Sequence, residues 1–265
     1  MTLFTNIKSF DKSFLLKLWL SLILYQLSVC PVSAQKDTMD IKDYILIINT
    51  YTESFPWSNR LISTATNFVK DDPKLAVYTE HMNMIMIDND SILDQFKDSL
   101  FDRYGSHRPR MLLLLGNSSL ILKDDLRKMW GDIPMVLCAG KDYTGPEHYY
   151  LTKQPIPLSE RVPLAELSQS CNLTYLYANL YIHENVEMMF RTLPRMKRFI
   201  YVGDERFVNQ VNSQEIQEIL RTKHPDVHYT FLSSRDIKKT NQLIDSLNFV
   251  DPRTTGILFS SWFHK

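Results

Sequence analysis

The sequence predicts an α/β protein: two lobes of parallel β-sheet flanked by helices, with the second lobe incomplete. Three observations carry this. Unbroken apolar runs, such as YILIIN at 44–49 and RMLLLLG at 110–116, read as strands buried on both faces. Between them lie stretches whose apolar residues recur at helical spacing, and alternation of that kind builds a parallel sheet with helices packed over it. The alternation pauses over a proline-rich segment, 141–172, and then resumes, so the strands fall into two groups.

Ahead of the first strand, Lys8, Lys12 and Lys17 precede or enter the apolar stretch FLLKLWLSLILYQLSVCPVSAQ, which ends in Val32-Ser33-Ala34. A basic start, an apolar middle and small residues before a cleavage point mark an export signal, with Gln35 as the mature start. Two alternatives stay open. Leu27-Ser28-Val29-Cys30 loosely resembles a lipoprotein box. The segment could also be retained as a membrane anchor, although its unbroken apolar part is shorter than the ~20 residues a spanning helix needs. Residues 1–34 are therefore read as signal peptide or anchor, 35–180 as the first lobe and 181–265 as a partial second lobe.

The strand at 44–49 leads through a polar loop and Pro56 into a helix at 57–70, with Leu61, Ala65 and Phe68 on one face. KLAVYTE (74–80) is a second strand, and SILDQFKDSLFDRY (91–104) a helix with Ile92, Leu93, Phe96, Leu100 and Tyr104 at helical spacing. The strand at 110–116 follows, then a short helix at 118–130 and a strand at 133–140. The segment 141–172 reads as loop with one short helix near 164–167. Alternation resumes with a helix at 183–194, a strand at 197–204, and a helix at 212–225 with Ser213 as N-cap and Pro225 beyond its end. A strand at 227–233, a helix at 236–248 and a strand at 254–262 complete the series. A buried parallel strand normally continues into a covering helix, so GILFSSWF is expected to leave Phe259, Trp262 or Phe263 partly uncovered.

A hydrophobic content of 44% supports a packed core and excludes a disordered chain. Thirty basic side chains against thirty acidic ones leave no positive excess, which excludes an electrostatic nucleic-acid binder. If Cys30 leaves with the signal, Cys138 and Cys171 remain in an oxidising compartment. They form a disulfide, or Cys138 serves as a small buried hydrophobe in its strand. No CxxC pair or His/Cys cluster suggests a metal, and nothing calls for a cofactor.

Following its strand, NTYTESFPWSNRLI resembles the opening of the periplasmic substrate-binding-like sensor domains of bacterial two-component sensor histidine kinases. Those domains are relatives of ABC-transporter substrate-binding proteins. In that family the first strand ends in an Asn/His-Ser/Thr-Tyr stretch and a Pro-Trp pair opens the first helix. ENVEMMFRTLPRMKRFIYVGDE is similar to the family's crossover between lobes: a helix, Leu-Pro, basic residues and a strand ending in Val-Gly-Asp. The resemblance covers most of 40–262, through motifs each of which alone is common. It implies a type I periplasmic-binding-like fold that closes around a small solute, in the periplasm or on the membrane facing it. It implies membrane contact through the N-terminal segment and leaves a homodimer open. The family continues into a transmembrane helix, a dimerisation helix and an ATP-binding domain. No HExxN-like kinase box or glycine-rich phosphate loop stands in this sequence, so the resemblance points to the sensing module as an N-terminal fragment.

In open parallel sheets ligands lie outside the carboxyl ends of the strands. The candidates follow from position: Tyr51, Glu53, Trp57 and Arg60 after the first strand, Asn117 and Ser118 after the third, and Lys141, Asp142 and Tyr143 after the fourth. The second lobe offers Asp204 and Arg206, then Ser233, Ser234 and Arg235. Trp57 would stack on an apolar ligand face and Arg60 would pair with an anionic group. Plainer roles stand beside these: Trp57 covering the sheet edge, Arg60 as a solvated charge, Asn117-Ser118 and Asp204 as helix starts.

The chain is not read as an enzyme. G-x-S-x-G is absent, and the seven histidines are scattered without HExxH spacing. Glu147-His148 lies in the proline-rich loop with no assignable partner. The leading reading is an exported ligand-sensing domain of a two-component sensor kinase. The alternative is a free-standing ABC-transporter substrate-binding protein or lipoprotein, which Leu27–Cys30 would favour. An exported hydrolase would need a nucleophile on a sharp strand-to-helix turn, and none is visible. Cleft candidates of both charge signs, with aromatics, suit a sugar, amino acid, nucleobase or peptide.

Overall fold

The computed structural model describes residues 43–234 and 236–261. Residues 1–42, with the expected export signal, and Arg235, Trp262 and Phe263 lie outside the described residues, and so do the expectations attached to them. The chain is an α/β protein of parallel sheets flanked by helices. Among the described residues, β1 (Asp43–Asn49), β2 (Leu75–His81), β3 (Met111–Leu115), β4 (Met135–Ala139) and β7 (Leu173–Tyr177) form one parallel sheet in the order β2-β1-β3-β4-β7. A second parallel sheet has the order β10-β8-β9, from β8 (Arg198–Val202), β9 (His228–Leu232) and β10 (Thr255–Phe259). In the second sheet β9-β8-β10 repeats the order β2-β1-β3: the first strand lies between the two that follow it. A small antiparallel pair, β5 (Tyr143–Thr144) with β6 (Val162–Pro163), sits on the loop after β4.

The strands of the first sheet are apolar throughout because both faces are covered. Leu46, Ile48, Leu112, Leu114 and Leu137 face one core, in which Leu93 and Leu100 from the helix α2 (Asp90–Tyr104) are fully buried. On the other face Ile47, Leu115 and Cys138 meet Trp57, Leu61, Ile62 and Ala65 from the helix α1 (Pro56–Val69). The second sheet packs Phe199 and Tyr201 against Ile182 and Val186 of one helix and Ile216, Ile219 and Leu220 of another.

Several expectations shift. On α1 the buried stripe runs through Ser58, Leu61/Ile62, Ala65 and Val69, and Phe68 is 90% exposed. The helix thus turns its back one residue away from the expected phase. On α2 the Asn89 side chain caps by accepting from the Ile92 amide at 3.0 Å, while the Ile92 side chain stays at the surface. The helix expected at 118–130 is a 3₁₀ segment, Asn117–Leu122, running into α3 (Lys123–Trp130).

The segment 141–172 is more ordered than its prolines suggest. It holds β5, β6, α4 (Glu147–Thr152) and α5 (Leu164–Ser170), and it leads into β7. That strand was missed because LTYLY lacks an unbroken apolar run. It is an edge strand with Leu176 and Tyr177 exposed, where a covered face is not required. The chain then passes through 178–181 into α6 (Ile182–Thr192). There Tyr181 takes a left-handed conformation at φ 51°, and its amide donates to Asn179 Oδ1 at 2.9 Å.

Helix α7 spans Phe207–Lys223, so it starts earlier than expected. Ser213 is therefore a buried mid-helix residue bonded to the Tyr229 hydroxyl at 2.7 Å, not an N-cap. The final described helix, α8 (Ile237–Ser246), is capped by Asp236, whose carboxylate accepts from the Lys238 and Lys239 amides. Cys138 and Cys171 are free thiols, the first buried in β4 and the second donating to the Leu167 carbonyl. Ile257 and Phe259 of β10 are 43% and 63% exposed. No helix among the described residues is long and apolar enough to cross a membrane.

Candidate functional site

The carboxyl end of β1 is fixed by polar side chains with internal work. Asn49 is fully buried; its Oδ1 accepts from the Tyr51 amide at 3.2 Å and its Nδ2 meets His81 Nδ1 at 2.9 Å. Thr50 Oγ1 donates to the Leu115 carbonyl at 2.8 Å, tying the ends of β1 and β3 together. Gly116 lies opposite with φ +95°, and a Cβ there would stand 2.4 Å from Thr50 Oγ1. Only glycine accepts both that dihedral and that approach.

Tyr51 emerges from this clamp stacked on Phe55, with centroids 4.4 Å apart, and edge-on to Trp57 at 5.6 Å. Burial pushes its phenol above the usual tyrosine range, against the opposing pull of the Arg206 charge.

Asn117 is neither a helix cap nor a free donor. Its Nδ2 donates to the carbonyls of Lys141 (2.8 Å) and Tyr143 (2.9 Å), and its Oδ1 accepts from the amides of Gly140 (2.9 Å) and Lys141 (3.1 Å). Both amide hydrogens and both lone pairs are thereby engaged. The residue staples the end of β3 to the loop after β4. Lys141 is thus held at both its N–H and its C=O. Its ammonium reaches Glu215 of α7 at 2.8 Å, with the lysine side chain 12% exposed.

From the second sheet, Asp204 follows β8 and is 1% exposed. Its carboxylate accepts from Arg206 Nε and Nη2, from the Arg206 amide and from Asn209 Nδ2, all within 3.0 Å. So oriented, the Arg206 guanidinium lies 5.1 Å from the centroid of Phe55 and 5.9 Å from that of Tyr51. Contacts between a cation and aromatic faces of this kind join the second sheet's loop to the first.

Two cavities result. The smaller, about 70 Å³, is lined by residues just past the carboxyl ends of β1 (Tyr51), β2 (Asn83, Met84), β3 (Ser118), β4 (Lys141) and β8 (Arg206, Phe207). The β1–β3 boundary is where strand order reverses in the first sheet, the place such folds use for ligands. Lys153, 5% exposed and at φ 62°, closes one side by donating to the carbonyls of Met84 (2.7 Å), Tyr150 (3.1 Å) and Ile87. The larger cavity, about 470 Å³, lies past β4 and β7 and against α7, with Asp142, Tyr143, Arg161, Tyr177 and Glu215 in its wall. There Arg161 sits over the Tyr143 ring at 4.2 Å, and the Tyr143 hydroxyl is buried without a hydrogen bond among the described residues. Burial raises the Tyr143 phenol, with the Arg161 charge pulling the other way. Lys141 lines both cavities.

The structure thus brings Tyr51, Asn117, Ser118, Lys141 and Arg206 to one cavity and Asp142 and Tyr143 to the other. It sets the rest apart. Glu53 and Arg60 are exposed and line neither cavity. Trp57 turns to the sheet and packs with Ile47, Leu115 and Cys138. Asp204 is buried behind Arg206, and Ser234 bonds to the backbone of Asp236. Ser233 carries a buried hydroxyl without a hydrogen bond among the described residues. The sequence reading missed Asn83, Met84 and Lys153. The first two follow β2, whose carboxyl end feeds the same edge and signals them by position; Lys153 carries no sequence signal.

No protein-family model matches the sequence, and no curated protein does. Among solved structures, the chain is similar to a carbohydrate transporter solute-binding protein from Agrobacterium radiobacter, in complex with D-arabinose. The identity is 10%, the match covers 83% of this chain and 67% of that one, and the TM-score is 0.48. Likeness of that degree says nothing about the ligand here.

Proposed function

We propose that this chain binds a small solute between its two sheets, as an exported ligand-sensing domain of a two-component sensor kinase. One observation carries the binding part: loops from the carboxyl ends of β1, β2, β3, β4 and β8 converge on one cavity. Side chains bridge the sheets there, through Arg206 on Tyr51 and Phe55, Phe207 on Tyr150, and Lys141 with Glu215. Such contacts can part and re-form as lobes hinge around a ligand. The sensor context is supported by the resemblance of NTYTESFPWSNRLI and the 184–205 crossover to kinase sensor domains. The lipobox-like Leu27–Cys30 favours the second reading, a free-standing substrate-binding lipoprotein. The role in either case is binding, not turnover.

The test is a thermal-shift and calorimetric screen of the purified protein against sugars, amino acids, nucleobases and short peptides. A hit should contract the protein in small-angle scattering and weaken in both Tyr51→Ala and Tyr143→Ala. A hit indifferent to both substitutions, or one chemically converted during the assay, would overturn the reading. A kinase reading frame continuing past Lys265 in the genome would favour the sensor over the free-standing binder.

A further inference from the structure

The smaller cavity has a one-sided charge. Among the described residues its wall includes three cationic side chains, Lys141, Lys153 and Arg206, and no carboxylate. The acidic partners approach from elsewhere: Asp204 is buried behind Arg206, and Glu215 belongs to the wall of the larger cavity. Resting on the reading of this cleft as a solute site, we propose that a ligand's oxyanion, a carboxylate or phosphate, is taken up at the Lys141 ammonium, between the two cavities that Lys141 lines. Lys141 is the residue that pairs with it, and Glu215 stands in for that anion in the structure.

The two ion pairs differ in how replaceable they are. Arg206 is locked to Asp204 by a forked contact, with Asn209 bonded to the same carboxylate and Ser261 to the guanidinium. Lys141 has a backbone immobilised by Asn117 and a side chain 12% exposed, so its charge needs an anion within reach. Glu215 supplies one, yet its own side chain is 40% exposed and can return to water when another anion arrives. Exchanging one carboxylate for another at the same ammonium is close to neutral in Coulomb energy. Affinity must therefore come from the rest of the ligand, and the larger cavity offers it 470 Å³ beside the same lysine.

Matched probes test this: inorganic phosphate and acetate alone, then D-glucose, D-glucuronate and D-glucose 6-phosphate, by calorimetry on the purified protein. Phosphate or acetate should bind the Glu215→Gln variant, where no internal carboxylate competes, and bind the wild type far more weakly. The matching sugar derivative should bind the wild type tighter than D-glucose, and the tighter derivative tells carboxylate from phosphate. Lys141→Met should weaken that binding by about tenfold or more, the worth of one charge-assisted contact. Glu215→Gln should strengthen it, since the competing carboxylate is gone. If D-glucose binds as well as its charged derivatives and ignores Lys141→Met, the anion site is wrong while the solute cleft stands. If neither simple anion binds the Glu215→Gln variant, or Glu215→Gln weakens binding as Lys141→Met does, the proposal is overturned.

Discussion

Replacing Asn117 by alanine removes, in a single step, the four hydrogen bonds that hold the loop after β4. Each neutral bond contributes about 0.5–1.5 kcal/mol net, and a buried group left without a partner costs about 1–3 kcal/mol. Alanine strands two carbonyls and two amides, those of Lys141 and Tyr143 and of Gly140 and Lys141. Asn117 is 8% exposed and borders the cleft, so water reaches some of them. The expected loss is about 2–4 kcal/mol, a large share of the roughly 5–15 kcal/mol that holds a domain together. Urea unfolding reads it as a lower midpoint at unchanged slope. Asn117→Asp is the sharper variant. It keeps the acceptor for the two amides but sets its second oxygen against two carbonyl oxygens at 2.8 and 2.9 Å. The carboxylate is disfavoured there, so the folded-state pKa rises above the unfolded value of about 3.9. A raised folded pKa gives stability that is full below about pH 4 and lost as pH climbs through the folded value. An alanine variant within about 0.5 kcal/mol of wild type, or an aspartate variant flat in stability from about pH 4 to 7, would refute the staple.

Trp57→Ala should lower the melting temperature, costing about 1–3 kcal/mol of buried aromatic surface, and leave ligand affinity per folded molecule unchanged, as calorimetry on the same sample would show. Phe68→Ala should stay within about 0.5 kcal/mol of wild type in urea, whereas Val69→Ala, at an 8% exposed site, should cost about 1–2 kcal/mol; the reverse order would restore the helix phase read from the sequence. Tyr44, buried and donating its hydroxyl to the His107 carbonyl, has its phenol pushed up to about 12, first by burial and then by Tyr78. Its share of stability is full below about pH 10 and is lost as pH rises through the folded value, so Tyr44→Phe should flatten alkaline unfolding above about pH 10.

Much of the architecture was legible because a parallel strand buried on both faces leaves an unmistakable run, as at Ile45–Ile48 and Leu112–Leu115. Where one face of a strand is open, that signal disappears, and β7 was lost with it. Helix existence was readable and helix phase was not: Phe68 and Val69 are both apolar, and only the packing against Ile47 and Leu115 decides which turns inward. At the cleft, position along the chain located Tyr51, Asn117 and Lys141 but could not assign their work. Asparagine is a plausible cap, ligand donor or staple by residue type alone, and the four partners of Asn117 come from residues 23 to 26 positions away. Lys153 shows the same limit, since two of the three carbonyls that hold it belong to a loop more than sixty residues earlier.

The close approach of Gly116 to Thr50 sets a boundary on how this cleft can change. With a Cβ excluded at 2.4 Å and the dihedral fixed at +95°, the floor between β1 and β3 has no side chain to enlarge, shrink or recharge. A lineage altering what it binds, or an engineer doing so, must work on the walls instead. Ser118, partly exposed, is a wall position outside the core, whereas Met84 and Phe207 also pack in the main core, so changes there must keep that packing. Selectivity in such a molecule would drift at its rim while its base stays the same from one descendant to the next.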